Sequence, residues 1–337
     1  MRRRFINNHK TFDYSKYMTI EVLEDGYEVY FNRDVEYNLN GYKWVLLKAG
    51  LVSPTLKKGD LLSLRCSLTP DEILGPFQGN GKAINLRGNI LSLIFKDDIN
   101  LDISHYKRTF YGLFSYYNGN NIVSVEKNFL PATTLAYGCY YDMFNGCINL
   151  TTAPELPATT LESYCYHSMF KDCTSLTTVP ELPATTLATG CYHSMFYHCT
   201  NLTTAPKLPV TTLTSSCYES MFFDCTSLTT APELPATTLA DSCYDTMFQG
   251  CTKLTTAPEL PATTLKRYCY NNMFRGCTSL NYIKMLATDI SAIDCLYNWV
   301  NGVAKTGTFV KNPAMTSLPT GWSGIPSGWT VVDDGEE

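Results

Sequence analysis

The sequence predicts an α/β repeat solenoid in which each unit supplies a short strand to a parallel sheet on one side and a short helix to the other, preceded by a small antiparallel β-domain. Three observations carry this. Cys139, Cys165, Cys191, Cys217, Cys243, Cys269 and Cys295 recur every 26 residues, and Cys147, Cys173, Cys199, Cys225, Cys251 and Cys277 form a second series with the same period. Each unit divides into a Thr- and Pro-rich half and an apolar-periodic half. Residues 17 to about 78 lack the repeat and alternate apolar with polar residues around Asp25-Gly26 and Asn40-Gly41, pairs that signal hairpins.

One unit reads LTTAPELPATTLADSCYDTMFQGCTK from Leu228, and five near copies run from Leu150 to Ser279. Looser copies precede and follow. Leu113-Phe114 takes the Met-Phe slot at one end, and Trp299-Val300 takes it at the other. Terminal repeats are expected to be atypical because they close the core against water. The LTTAPELP half is too short and too proline-bearing for a helix, so it reads as a strand leading into an extended segment. The half from Ser163 to Cys173 places Cys165, Met169, Cys173, Tyr166 and Phe170 on one arc of a helical wheel. That predicts a helix of about three turns, ended by the Gly, Asp or His before the second Cys. The expected core ladder is Cys165, Met169, Phe170 and Cys173, with Cys191, Met195, Phe196 and Cys199 in the next coil. Eight or so coils at about 4.8 Å give a slab on the order of 40 Å long.

The pattern MFxxCxxLTxxPxLP resembles the bacterial leucine-rich repeats of Bacteroides-type surface antigens over roughly residues 105 to 300. The resemblance implies a right-handed curved leucine-rich repeat solenoid used for adhesion or ligand binding outside the cell, with no enzymatic activity. The unit of 26 residues is longer than the family's. The resulting domain reading is an N-terminal tail over 1–16, a β-domain over 17–78, the solenoid with its N-terminal cap over 79–310, and a C-terminal cap with an acidic tail over 311–337. Trp322 and Trp329 are expected to cover the last coil, and the closing DDGEE to be solvated.

Composition narrows the function. The net charge is -5 over 337 residues. Between Leu130 and Leu280 there are 11 acidic and 6 basic side chains, an excess of five negative charges. Phosphate backbones would be repelled, so nucleic acid is not an expected partner. No apolar stretch reaches bilayer length. Asn7, Asn8, His9 and Lys10 interrupt the basic N-terminus where an export signal would need an apolar run, so no signal peptide is expected.

Several constellations invite chemistry, each with a plainer reading. Cys spacings of 8 and 18 suit neither a metal site nor facing disulfide partners, and buried free Cys serves as a small hydrophobe. His167 and His193 share a slot with Glu219 and Asp245, a surface row for a divalent ion or simply a solvated face. The Thr pairs could form hydroxyl arrays of the ice-binding kind, but Thr also suits a half-exposed strand, and the proline two positions on breaks flatness. GPFQGNGKA over Gly75 to Ala83 lacks phosphate-loop spacing and reads as a turn. No catalytic motif is present, so no cofactor, metal or catalytic residue is assigned.

Between copies the core slots barely change, whereas the slots of Glu162 to Tyr164, His167-Ser168 and Lys171-Asp172 vary. Drift explains such variation; so does a partner read through Tyr164, His167, His193, Tyr197 and Phe223, with aromatics of the kind found at interfaces. The expected function is a non-enzymatic binding or adhesion scaffold recognising a protein or glycan at the cell surface. Two other readings stand beside it: a phage virion component such as a tail appendage, and a hydrolase of a surface polymer, which lacks the carboxylate pairs it would need.

Overall fold

The computed structural model describes residues 12–70, 72–75, 77–115 and 119–335. Strands β1 (Met18–Val22), β2 (Val29–Phe31), β3 (Val35–Leu39), β4 (Trp44–Leu47), β5 (Leu61–Arg65), β6 (Phe77–Gly79), β7 (Ala83–Arg87) and β8 (Asn121–Val125) occupy the N-terminal part, with one short helix, α1 (Ser92–Phe95). Strands β9 (Tyr282–Met285), β10 (Thr308–Lys311) and β11 (Thr330–Asp333) lie at the other end.

A six-stranded sheet runs in the order β4-β3-β5-β1-β7-β8. The Asn40-Gly41 signal gives a hairpin: Asn40 (φ 53°) and Gly41 (φ 77°) are both left-handed, as a type I′ turn requires between β3 and β4. Asp25-Gly26 makes a turn but not a hairpin. Both edges of β1 are taken by β5 and β7, so β2 pairs with β6 instead. The segment read as a turn at Gly75 to Ala83 contains β6. Strand β7 is antiparallel to β1 on one side and parallel to β8 on the other, so one sheet passes directly into the repeats.

The expected helices of the repeats are absent, and this corrects the α/β reading. In the coil around Cys165, alternate N–H groups bond within the coil: Cys165 to the Glu162 carbonyl, His167 to Tyr164, Met169 to Tyr166, Lys171 to Ser168 and Cys173 to Phe170, at 3.1–3.3 Å. The intervening N–H groups of Tyr164, Tyr166, Ser168, Phe170 and Asp172 bond to Thr189, Cys191, His193, Met195 and Tyr197 of the next coil, at 2.8–3.0 Å. Every fourth residue is left-handed: Tyr164, Ser168 and Asp172 here, Gly190, Ser194 and His198 in the next coil. A positive φ at the third position defines a type II turn, so the segment is a ribbon of overlapping turns. An α-helix would consume all its own backbone groups; the ribbon keeps half of them for coil-to-coil bonds.

The opposite side of the repeats is less regular than a continuous parallel sheet. Single parallel bridges join Thr204 to Thr230, Thr212 to Thr238 and Thr256 to Tyr282. In the Thr204 and Thr256 bridges the prolines two positions on, Pro206, Pro232 and Pro258, have no N–H to extend the bridge into a strand. Where the prolines stop, β9, β10 and β11 form a true three-stranded parallel sheet.

The core is a set of side-chain columns. Phe114, Phe144, Phe170, Phe196, Phe222, Phe248 and Phe274 stack at 5.7–5.8 Å between centroids. The Tyr140 to Tyr270 column stacks beside them, and both end on buried Trp299. All 14 cysteines are free and buried. The second Cys series has a further task. The thiols of Cys173, Cys199, Cys225, Cys251 and Cys277 donate at 3.0–3.2 Å to the carbonyls of Phe144, Phe170, Phe196, Phe222 and Phe248 in the preceding coil. Valine would fill that volume without the bond.

At the C-terminal end Trp329 is buried and its indole N–H donates to the Ala304 carbonyl, but Trp322 is 69% exposed and meets the last coil through its carbonyl, which accepts from the Val300 N–H at 3.2 Å. Trp299 closes the columns in its place, its indole N–H donating to Gly324. The acidic tail is partly fastened: Asp333 pairs with Lys311, and Asp334 with Lys284 at 3.0 Å.

Candidate partner-binding face

The turn ribbon decides which side chains face outward. The inner pairs Cys165-Tyr166 and Met169-Phe170 point into the core; of the other two in every four, the first, such as His167, faces out, and the left-handed one, such as Ser168, lies against the next coil. Ladder residues Cys165, Met169, Phe170, Cys173, Cys191, Met195, Phe196 and Cys199 are all fully buried. Burial pushes the Cys139 thiol up to about 12, and the same cause raises Cys165, Cys173 and Cys199 well above the ordinary thiol value. These sulfurs stay protonated hydrophobes rather than thiolate ligands or nucleophiles.

Tyr164, His167, His193, Tyr197 and Phe223 lie on the outer face but are only half-exposed. Stacking of identical slots explains this. Tyr111, Tyr141, His167 and His193 form one column, with centroid separations of 5.0, 4.1 and 4.4 Å. Tyr197 and Phe223 form a second, 4.4 Å apart, and the Lys171 ammonium lies 4.8 Å from the Tyr197 ring. Tyr164 packs edgewise on Tyr137 and at 5.9 Å from His167. Four of the five therefore belong to two columns, presenting ring edges rather than faces, and Tyr164 packs against the first of them from its left-handed slot. Ser168 and Ser194, expected to face solvent, are buried to 4% and 7% exposure. Their left-handed backbone tucks a short side chain against the next coil.

The His and acid row continues past the rings. His193 Nδ1 stands 3.7 Å from Glu219 Oε2, and Asp245 follows in the next coil. Burial, helped by His193, pushes the His167 imidazole down to about 3. Burial also lowers His193, against the attraction of Glu219. Burial and the Glu219 carboxylate push Asp245 up to about 7. A second His–acid contact was not anticipated: His198 Nδ1 is 2.8 Å from Asp172 Oδ1, because both occupy the left-handed slot of consecutive coils. Its signal was the Asp, His, Asp succession at 172, 198 and 224. Among the described residues no group of three or more His, Cys, Asp or Glu side chains is arranged to hold a metal ion.

The Thr and Pro side differs in shape. Both Thr of each pair are exposed, and grooves run between neighbouring coils rather than a flat hydroxyl array. One, of ≈ 660 Å³, is lined by Thr229 to Pro235 and by Thr255 to Glu259 with Pro261. A similar groove of ≈ 440 Å³ lies between Thr152 to Pro157 and Thr178 to Pro183. The charges along this side largely compensate: Lys127 pairs with Glu155 at 2.9 Å and Lys284 with Glu259 at 3.3 Å. No helix among the described residues is long and apolar enough to cross a membrane.

Residues 189–295 match, in six copies, a family model described as BspA type Leucine rich repeat region. No curated protein and no solved structure matches the chain.

Proposed function

We propose that this chain of BspA-type leucine-rich repeats is a non-enzymatic binding scaffold, a solenoid that presents its outer ring columns to a protein or glycan partner at a cell surface. One observation carries the reading. The buried slots are the same from coil to coil, while the outward slots differ and are held rigid by stacking: Tyr141, His167 and His193 in one column, Lys171, Tyr197 and Phe223 in the other. A preorganised aromatic and cationic surface loses little conformational entropy on binding. The repeat family supports a binding rather than a catalytic role. In this reading residues 17–78 are a small β-domain on which the solenoid over 79–310 is built, with the cap over 311–337.

The test is a glycan array and a displayed-peptide library probed with the intact chain. A ligand that uses the ring columns loses at least about 2 kcal/mol of affinity when Tyr197 and Phe223 are both changed to Ser, with folding unchanged. If that double change leaves affinity untouched while Thr178→Lys and Thr204→Lys abolish it, the ligand lies on the Thr and Pro side.

A further inference from the structure

The slot of Tyr141, His167, His193, Glu219 and Asp245 stands apart from the rest of the stack. Most other coil-to-coil contacts are made by backbone bonds, by hydrophobic rings and by thiols, and the one other imidazole contact between coils among the described residues, His198 with Asp172, joins a histidine to an acid rather than to a second histidine. In this slot two imidazoles lie face to face at 4.4 Å on successive coils, with Tyr141 stacked on the far side of His167 at 4.1 Å. His167 Nδ1 is buried and has no hydrogen-bond partner. We propose that this column is an acid-sensitive fastening between coils: neutral imidazoles hold it closed, and imidazolium charge on adjacent coils loosens it. It concerns the cohesion of the coils themselves and operates whether or not a partner occupies the outer face.

The charged surroundings favour the neutral pair. His167 faces the Tyr141, Tyr164 and His193 rings, with the Lys171 ammonium nearby acting against its protonation. His193 faces His167, Glu219 and again Lys171; only Glu219 favours its charge, at 3.7 Å. Asp142 lies beside Tyr141 and Lys171, and Asp245 faces Glu219.

The direction of the pH response follows. Both histidines have a folded pKa below that of the unfolded chain, so below the ordinary value of 6.5 the unfolded chain binds more protons and the fold loses stability as pH falls. Asp245 works the other way: raised to about 7, it holds a proton in the fold that the unfolded chain releases down to 3.8, so it adds stability as pH falls through 7. Between 6.5 and 3.8 the two histidines act against Asp245 and against Asp142, whose carboxyl burial also raises, so the part owed to the histidines is read as the difference between the chain with them and the chain without them.

The experiment compares the full chain with the double variant His167→Phe, His193→Phe, which keeps rings in a slot where Tyr111 and Tyr141 already stack. Thermal unfolding is followed from about pH 6.5 to about pH 5, above the range where ordinary carboxylates titrate. Over this interval the wild-type Tm should fall by about 2–4 °C relative to that of the variant, because the variant lacks the two imidazoles while Asp142, Asp224 and Asp245, all raised by burial, are present in both. Equal slopes would overturn the proposal. Should the variant fail to fold, ring-proton NMR titration of the wild type decides: midpoints for His167 and His193 well below 6.5 support the fastening, and midpoints at or above it refute it.

Discussion

Phe196 is fully buried between Phe170 and Phe222, each 5.8 Å away, so truncating it opens a void that neighbouring coils cannot close without breaking their backbone bonds. Phe196→Ala should cost about 3–5 kcal/mol in denaturant unfolding. Ser194 is also buried, yet its side chain is short and its φ is +54°, so the backbone, not the side chain, sets its tolerance. Ser194→Ala should cost little, whereas Ser194→Val should cost about 2 kcal/mol or more, because a β-branched residue resists the left-handed region. Equal effects of the two changes would show that the turn geometry is wrong. The thiols are governed by the same burial. Under native conditions the 14 cysteines should react with almost no thiol reagent, and after denaturation without reductant nearly all 14 should. Recovery of only a few would mean that bridges, and not packed thiols, occupy the ladder.

The turn ribbon explains what could and could not be read from the sequence. The inner residues of a coil fall at Cys165, Tyr166, Met169, Phe170 and Cys173, a spacing that repeats every four residues yet also fits an arc at 3.6 residues per turn. The core was therefore legible while the secondary structure was not. The distinguishing signal was the recurrence of Gly, Ser, Asp or Asn at most of the fourth places, as in Gly138, Asp142 and Gly146, and only the last of each trio was recognised as left-handed. The outer face was legible as a row of residues, but not as stacked columns, since contact at 4.4 Å between His167 and His193 follows from a coil-to-coil register that one coil cannot reveal. The ribbon makes its own prediction in far-ultraviolet circular dichroism, where the chain should lack the double minimum of an α-helical protein. A strong helical signal would restore the helix reading. Gly190 tests a turn directly: a Cβ there would stand 2.5 Å from Tyr164 Cε1, so Gly190→Ala should displace that ring and cost about 1–2 kcal/mol.

At the scale of the whole molecule, coils are interchangeable only in complete units, because each N–H that leaves a coil reaches the residue 25 places on, as Tyr166 reaches Cys191 and Tyr192 reaches Cys217. Removing residues 190–215, one unit of 26, would join Thr189 to Ser216 and bring Cys217 and Phe222 into the places of Cys191 and Phe196. Phe170 would then stack on Phe222, Tyr166 would bond to Cys217, and Cys225 would donate its thiol to the Phe170 carbonyl. Every column survives with one member fewer, and stability falls only by the contribution of one coil and one interface. Removing 25 residues, 190–214, instead leaves an extra residue before Cys217. Ser216 and Ser220 would enter the inner places of Cys191 and Met195, Tyr218 would be moved to the outward place of His193, and the left-handed slots of Ser194 and His198 would receive Glu219 and Phe223. Expressed side by side, the 26-residue deletion should unfold cooperatively within several degrees of the parent, and the 25-residue deletion should unfold well below it or aggregate. Similar behaviour of the two deletions would show that coil register does not hold this molecule together.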